Sequence, residues 1–384
     1  MSNLIIPTGY TWRDPSEIPP REWLYARHYV RRYVTAPVAA PGVGKTSLAL
    51  AEALAMVTGK PLLGAPVREP LRVWYWNGED PIDEIERRVA ALCLHYQLRP
   101  ADLGNRFYFD SGRDIPIIIG EPAKNGVQIN QRVVEALTAE CKAKKIDLLM
   151  LDPLVSTHKV PEGDNGAMDH IIKAGFGAVA EAANIGVDVQ VHVRKGPAGT
   201  TNDYTVDDAR GASAQIGGFR SVRILNRMSA AEAGNLGMAL DEARLTFRVD
   251  SGKENMQRPT ATAIWRKLVS VPLGNATPDM PEDIVQATVA WQAPDIMAGI
   301  MPDDARKAQE AVTAKECAAN PQANNWAGHA IGEALGLKTD SKHERAKVNG
   351  LIKAWLLSGV LATNRVHDTR NGRDRPIIVA GTPA

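Results

Sequence analysis

Residues 33–58 read Y-V-T-A-P-V-A-A-P-G-V-G-K-T-S-L-A-L-A-E-A-L-A-M-V-T: an apolar run of β type, a turn of small residues, then an alanine-rich run with helical spacing. The turn, Ala39-Ala40-Pro41-Gly42-Val43-Gly44-Lys45-Thr46, has the spacing of a phosphate-binding loop in which alanine replaces the first glycine. Small residues let successive backbone N–H groups curl round a phosphate. Lys45 reaches the outer phosphate oxygens and the Thr46 hydroxyl can ligand Mg²⁺, at the positive end of a helix beginning near Thr46. Tyr33–Val38 is expected as a buried strand and Ser47–Met56 as the helix packed on it. The expected nucleotide contacts are Ala39, Gly42, Val43, Gly44, Lys45, Thr46 and Ser47. The competing reading is an ordinary glycine-rich helix cap, which does not require lysine and threonine at these positions.

Outward from this segment, strands and helices alternate. Strands are expected near 72–76, 106–109, 147–151 and 187–193, and helices near 82–95, 128–143 and 168–183. Alternation of this kind implies an α/β fold, a mostly parallel sheet flanked by helices with ligands at the carboxyl ends of the strands. Residues 156–166 and 195–210 read as long loops that follow strand ends. A stretch rich in proline and poor in charge, 270–304, reads as a linker with one short helix. Beyond it come helical patterns at 305–319, 326–336 and 342–358 and a hairpin turning at Arg370-Asn371-Gly372-Arg373, the elements of a winged helix. The expected organisation is a segment 1–32, an ATPase-type domain 33–269, the linker 270–304 and a winged-helix-like domain 305–384.

Bulk properties bound the function. The 384 residues carry 45 Lys and Arg against 44 Asp and Glu, a balance that argues against coating DNA by charge alone. Residues 306–384 are more basic, with 12 Lys and Arg against 7 Asp and Glu, which permits a nucleic-acid face. No apolar run approaches the roughly 18 residues of a membrane span. The three cysteines match neither a disulfide framework nor a metal site, and the first residues lack a signal-peptide pattern, so a cytoplasmic location is expected.

Two acidic residues complete the phosphate chemistry. Asp152 ends the apolar run Asp147-Leu148-Leu149-Met150-Leu151, where an Mg²⁺-supporting aspartate belongs. Glu79, in W-Y-W-N-G-E-D-P, follows another strand at the same end of the sheet and is the candidate base for water. Alternatively, Glu79 and Asp80 merely cap the helix that begins near Pro81.

The ordered set A-A-P-G-V-G-K-T, N-G-E-D-P with I-E-R-R, L-L-M-L-D-P-L, V-H-V-R-K-G and A-R-G-A-S-A-Q-I-G-G-F-R-S-V resembles the RecA-like ATPases of the RepA-type hexameric replicative DNA helicases. The resemblance covers roughly residues 30–268. It implies a hexameric ring, ATP and Mg²⁺ between subunits, and an arginine finger supplied by the neighbour. Arg220 matches the finger, His192 the γ-phosphate sensor, and Lys253 a second contact made in trans; each also reads as an ordinary surface or strand-end residue. Three departures stand out: Pro41 where relatives carry glycine, Val191 in place of a first histidine before His192, and Ala212 where serine is usual.

In such rings the channel loops hold single-stranded DNA, and the matching positions here are Lys159, Arg194, Lys195 and Arg210. Solvated loop charges are the plainer alternative. The carboxy-terminal domain could meet duplex DNA or a replication or recombination partner through Lys342, Arg345, Lys347, Lys353, Arg370, Arg373 and Arg375. The sequence therefore leaves two functions open: a ring helicase, or an ATP-switched DNA-binding or recombination-mediator protein that does not unwind.

Overall fold

The computed structural model describes residues 6–124, 126–193, 204–205, 216–254, 256, 263–368 and 372–382. Arg194, Lys195, Arg210, Ala212, Arg370 and Asn371 lie outside the described residues.

One large sheet organises the chain, built from β1 (Val34–Ala39), β2 (Val73–Asn77), β3 (Phe107–Ser111), β4 (Leu148–Asp152), β5 (Gly186–Val189), β6 (Ser221–Arg227), β7 (Thr246–Glu254), β8 (Ile264–Pro272) and β9 (Ile284–Ala290). The strand order is β9-β8-β7-β6-β1-β5-β4-β2-β3, and Val191–His192 adds a short pairing to the end of β1. From β6 to β3 all neighbours are parallel. From β6 to β9 they are antiparallel. The parallel half is the α/β architecture expected from the alternation of strands and helices.

Helix α1 (Lys45–Thr58) is buried almost throughout, and its alanines let it lie close to the sheet. Each fully buried leucine, such as Leu50 or Leu54, contributes about 1.5–3 kcal/mol relative to exposure. Helix α2 (Ile82–His95) covers the same face, and α3 (Gln131–Lys144) packs on the opposite one with the helical run 165–183. That run, expected as one helix near 168–183, is α-helical at Asn165–His170, π-helical at Ile171–Phe176 and α-helical again at Gly177–Ala183.

The stretch 270–304 differs from its reading as a linker with a short helix. It holds β9, whose Ala287 and Thr288 are fully buried. Ser47 Oγ on α1 donates to the Gln286 carbonyl at 3.2 Å, and Tyr96 Oη donates to the Thr288 carbonyl at 2.7 Å, so β9 is sewn to both helices of that face.

A hairpin, Trp23–Tyr25 with Tyr29–Val30, places Leu24, Tyr25 and Tyr29 in the α1 core. At the other end of the chain, α4 (Pro302–Ala314), α5 (Ala327–Leu335) and α6 (Lys342–Ser358) surround a core containing Trp326, Ile331, Val348 and Trp355. They pack on a three-stranded antiparallel sheet of β10 (Cys317–Ala318), β11 (Leu361–Asp368) and β12 (Arg373–Ala380). This body touches the larger one at Ala230–Leu236, where Lys353 Nζ donates to Asn235 Oδ1 at 3.1 Å.

Candidate active site

The turn after β1 closes at Gly44, whose φ of +119° and close neighbours fit glycine: a Cβ there would lie 3.0 Å from the Phe247 ring and 3.2 Å from Leu268. Lys45 and Thr46 open α1, so their side chains and the first helical N–H groups face one cleft. Lys45 Nζ lies 3.3 Å from the Val191 carbonyl and 3.3 Å from His192 Nδ1. His192 stands beside Ala39 in the register and so reaches the loop from the neighbouring strand end.

Thr46 Oγ1 donates to Asp152 Oδ2 at 2.6 Å, and Tyr75 Oη donates to the same oxygen at 3.0 Å. Asp152 is buried at the last position of β4, level with Asn77 on β2. A hydroxyl and a carboxylate side by side at a helix N-terminus are hard oxygen donors of the kind Mg²⁺ takes, so Thr46 and Asp152 fit the ion.

Asn77 shapes the next turn. Its Oδ1 accepts from the backbone N–H of Glu79 at 2.9 Å and of Asp80 at 2.8 Å. Gly78 fits under it because a Cβ would fall 2.3 Å from that of Ser156. The Glu79 carboxyl is pushed up from its usual range by burial first, then by the negative charges of Asp152 and Asp80. Asp80 pairs with Arg88 at 2.7 Å, and Arg88 also holds Glu84 at 3.1 Å.

Gly42, Gly44, Lys45, Thr46, Ser47, Asn77, Glu79 and His192 line a cleft of about 530 Å³, with the buried Asp152 reached through Thr46. Ala39 and Val43 are instead buried behind the loop. Pro41 lines the cleft and, lacking an N–H, cannot donate to a phosphate. The far wall, Leu268 with Ile284, Val285 and Gln286, comes from β8 and β9 and was not found from the sequence. Arg227 was not among the expected site residues; its guanidinium donates to the Gly42 carbonyl from β6. A basic residue at the carboxyl end of a strand beside β1 was the available signal.

Other expected site residues lie elsewhere. Ser221 pairs with Thr35, so Arg220 stands level with the start of β1, with its guanidinium 5.7 Å from the Tyr33 ring. At about 3.3 Å per residue, that is roughly 17 Å from the phosphate loop. Lys253 is at the same end, opposite Val222, and donates to the carbonyls of Ile216, Gly217 and Phe219 at 2.8, 3.2 and 3.0 Å. Burial first, then the Arg220 and Lys173 charges, lower its pKa. Neither residue shares the cleft of its own chain. Lys159 is exposed and pairs with Glu121 at 2.8 Å.

Fold and site together define an α/β nucleotide-binding domain of the P-loop ATPase class. Residues 9–198 match the family model of the AAA domain, a span that holds the phosphate loop, Glu79, Asp152 and His192 and ends before Arg220. The match supports an ATPase of the AAA type, with nucleotide binding and ATP hydrolysis as its coarse activity. Among the described residues, no helix is long and apolar enough to cross a membrane.

Proposed function

We propose that the protein is a ring-forming, Mg²⁺- and ATP-dependent DNA helicase of the RepA type, translocating on single-stranded DNA by hydrolysis at subunit interfaces. The observation that carries this reading is the division of the expected machinery. Lys45, Thr46, Glu79, Asp152 and His192 meet at one end of the sheet, and Arg220 stands at the other. An arginine so placed can complete a site only in a neighbouring subunit, as a closed ring of like copies allows.

Within the cleft, Lys45 and the N–H groups that open α1 hold the phosphates. Thr46 and Asp152 hold Mg²⁺, which when bound neutralises charge on the phosphate oxygens. Glu79 takes the proton of the attacking water, and burial beside the Asp152 and Asp80 charges strengthens its hold on that proton. His192, in contact with Lys45, links the cleft to the strand end that leads into residues 194–210. Lys159, with Arg194, Lys195 and Arg210, is assigned to the DNA channel, and the carboxy-terminal body to a replication or recombination partner protein. In that body Arg345, Lys347 and Lys353 each donate to a neutral oxygen, of Pro321, Ala298 and Asn235.

The test is a strand-displacement assay run beside ATP turnover. The helicase reading expects turnover stimulated by single-stranded DNA, unwinding of a tailed duplex, and loss of both in Lys45→Ala. DNA-stimulated turnover with no unwinding of any tailed substrate would replace it with the ATP-switched DNA-binding protein.

A further inference from the structure

A second cleft, of about 500 Å³, lies between the amino-terminal hairpin, α1 and strands β6 to β9, and shares no lining residue with the phosphate cleft. Its walls are largely apolar: Leu63, Val249, Trp265 and Trp291 contribute, the two indoles meeting edge to face at 5.8 Å between ring centres. Polar groups converge on this apolar space.

Glu52 and Arg223 satisfy one another, with Arg223 nitrogens at 2.5 and 2.8 Å from the two carboxylate oxygens and Tyr29 Oη donating at 2.5 Å. The wall thus carries two guanidiniums, Arg223 and Arg266, against the single carboxylate of Glu52, which hydrogen-bonds only Arg223 of the two. Arg266 is 9% exposed, and its Nη1 donates to its neighbour's carbonyl at 3.1 Å while its buried Nε has no hydrogen-bond partner among the described residues. Tyr25, 3% exposed on the same wall, has a buried hydroxyl with no hydrogen-bond partner among the described residues. Arg223 Nε is a third such donor. A buried donor without an acceptor destabilises the fold, and an unpaired guanidinium N–H does so more strongly. With His28 Nε2, which also lines this cleft without a hydrogen-bond partner among the described residues, four such atoms meet here, and an anionic acceptor would satisfy the donors among them.

We propose that this cleft is a second ligand site, for a small organic anion whose carboxylate or phosphate head is taken by Arg266 and Tyr25 and whose apolar body lies against Trp265 and Trp291. Arg266 supplies charge and direction, Tyr25 a neutral donor, and the indoles contact area. Because the cleft spans β6 to β9 and α1, an occupant braces the antiparallel half of the sheet against the helix that carries Lys45 and Thr46.

The experiment is calorimetric titration of the full-length protein, its phosphate cleft saturated with ADP, using benzoate and phenyl phosphate as probes and benzyl alcohol as the uncharged control. Saturable binding of at least one anion and none of the alcohol is expected, the better anion naming the head group. Arg266→Met should weaken it by about ten- to a hundredfold, the range for a lost hydrogen bond to a charged group. Ala290→Trp, at an exposed position on the rim, should block it while ADP binding and the melting temperature hold, so the test survives if the Arg266 variant misfolds. No binding of either anion at millimolar concentration, equal binding of the alcohol, or anion binding unchanged in Ala290→Trp would overturn the proposal.

Discussion

Glu79 is held where its charge is unwelcome. Its turn is fixed by Asn77 and Gly78, and burial together with Asp152 and Asp80 favours its protonated form, while Lys45 and then Arg88 oppose them. A water-activating base must be deprotonated, so turnover should rise with pH through a midpoint above the ordinary glutamate value. The limb belongs to Glu79 if Glu79→Gln removes it. That variant should lower turnover by about a hundredfold to ten-thousandfold with ADP affinity kept, the usual range for a positioned general base. Steady-state rates across the acid range, with nucleotide binding measured beside them, check both points. Pro41 lies on the same cleft without a donor. Pro41→Gly, which restores an N–H, should tighten ATP binding, as equilibrium binding of a non-hydrolysable analogue would show.

At the scale of elements, the amino-terminal hairpin is tied to the sheet by buried polar side chains. His28 Nδ1 lies 2.8 Å from Ser221 Oγ on β6, and its Nε2 lies 3.8 Å from Asp188 on β5. Asp188 also accepts from Thr35 and Gln190, each at 2.8 Å. Burial pushes Asp188 up to about 7, and burial, then the Arg223 charge, push His28 well below its usual value. The signs oppose. An aspartate raised in the folded state loses stability as pH rises from its unfolded pKa, 3.8, to about 7. A histidine lowered in the folded state loses stability as pH falls below 6.5. Between those limits the folded pair and the unfolded pair each hold one proton, so their slopes cancel. Single variants should expose them: Asp188→Asn should lose stability on acidification below 6.5, and His28→Gln on alkalinisation towards 7, each by about 1.4 kcal/mol per pH unit. Urea unfolding at stepped pH reads both slopes; a parallel pH profile for the two variants contradicts the pairing.

The same scale shows what was legible. The α2 boundaries were readable to the residue, because Ile85, Ala91 and Leu92 repeat on one face after an acidic first turn. Parallel strands β1 to β5 stood out as short apolar runs, and Lys45, Thr46, Glu79 and Asp152 were readable because each lies at the carboxyl edge of such a run. Strands β6 to β9 were not. In T-F-R-V-D-S-G-K-E charges alternate with apolar residues, and Ile284–Ala290 sits between proline-containing stretches. What makes them strands is pairing across the sheet, a non-local property. The cleft wall at Leu268 and Ile284–Gln286 was hidden for the same reason.

For the whole molecule, the sheet's two ends pose the geometric question. A phosphate cleft at the carboxyl end of β1 and Arg220 at its amino end, roughly 17 Å apart by strand rise, cannot serve one nucleotide within one subunit. In the proposed ring, with copies arranged head to tail, one copy's Arg220 edge would face the next copy's cleft, and a heterologous interface of that kind closes into a ring when its rotation divides a full turn. The consequence is complementation. Arg220→Ala subunits keep an intact cleft and Glu79→Gln subunits keep an intact arginine, so each alone should be nearly inactive, the arginine loss costing about a thousandfold or more. Mixed, they form interfaces in which an intact cleft meets an intact Arg220, and turnover should return to a fraction set by the mixing ratio, greatest near equal proportions. ATPase rates across a mixing series measure it. A flat series at the level of the separate variants, with co-assembly shown by sedimentation, would place Arg220 outside the hydrolytic site and leave the ring without its shared active centre.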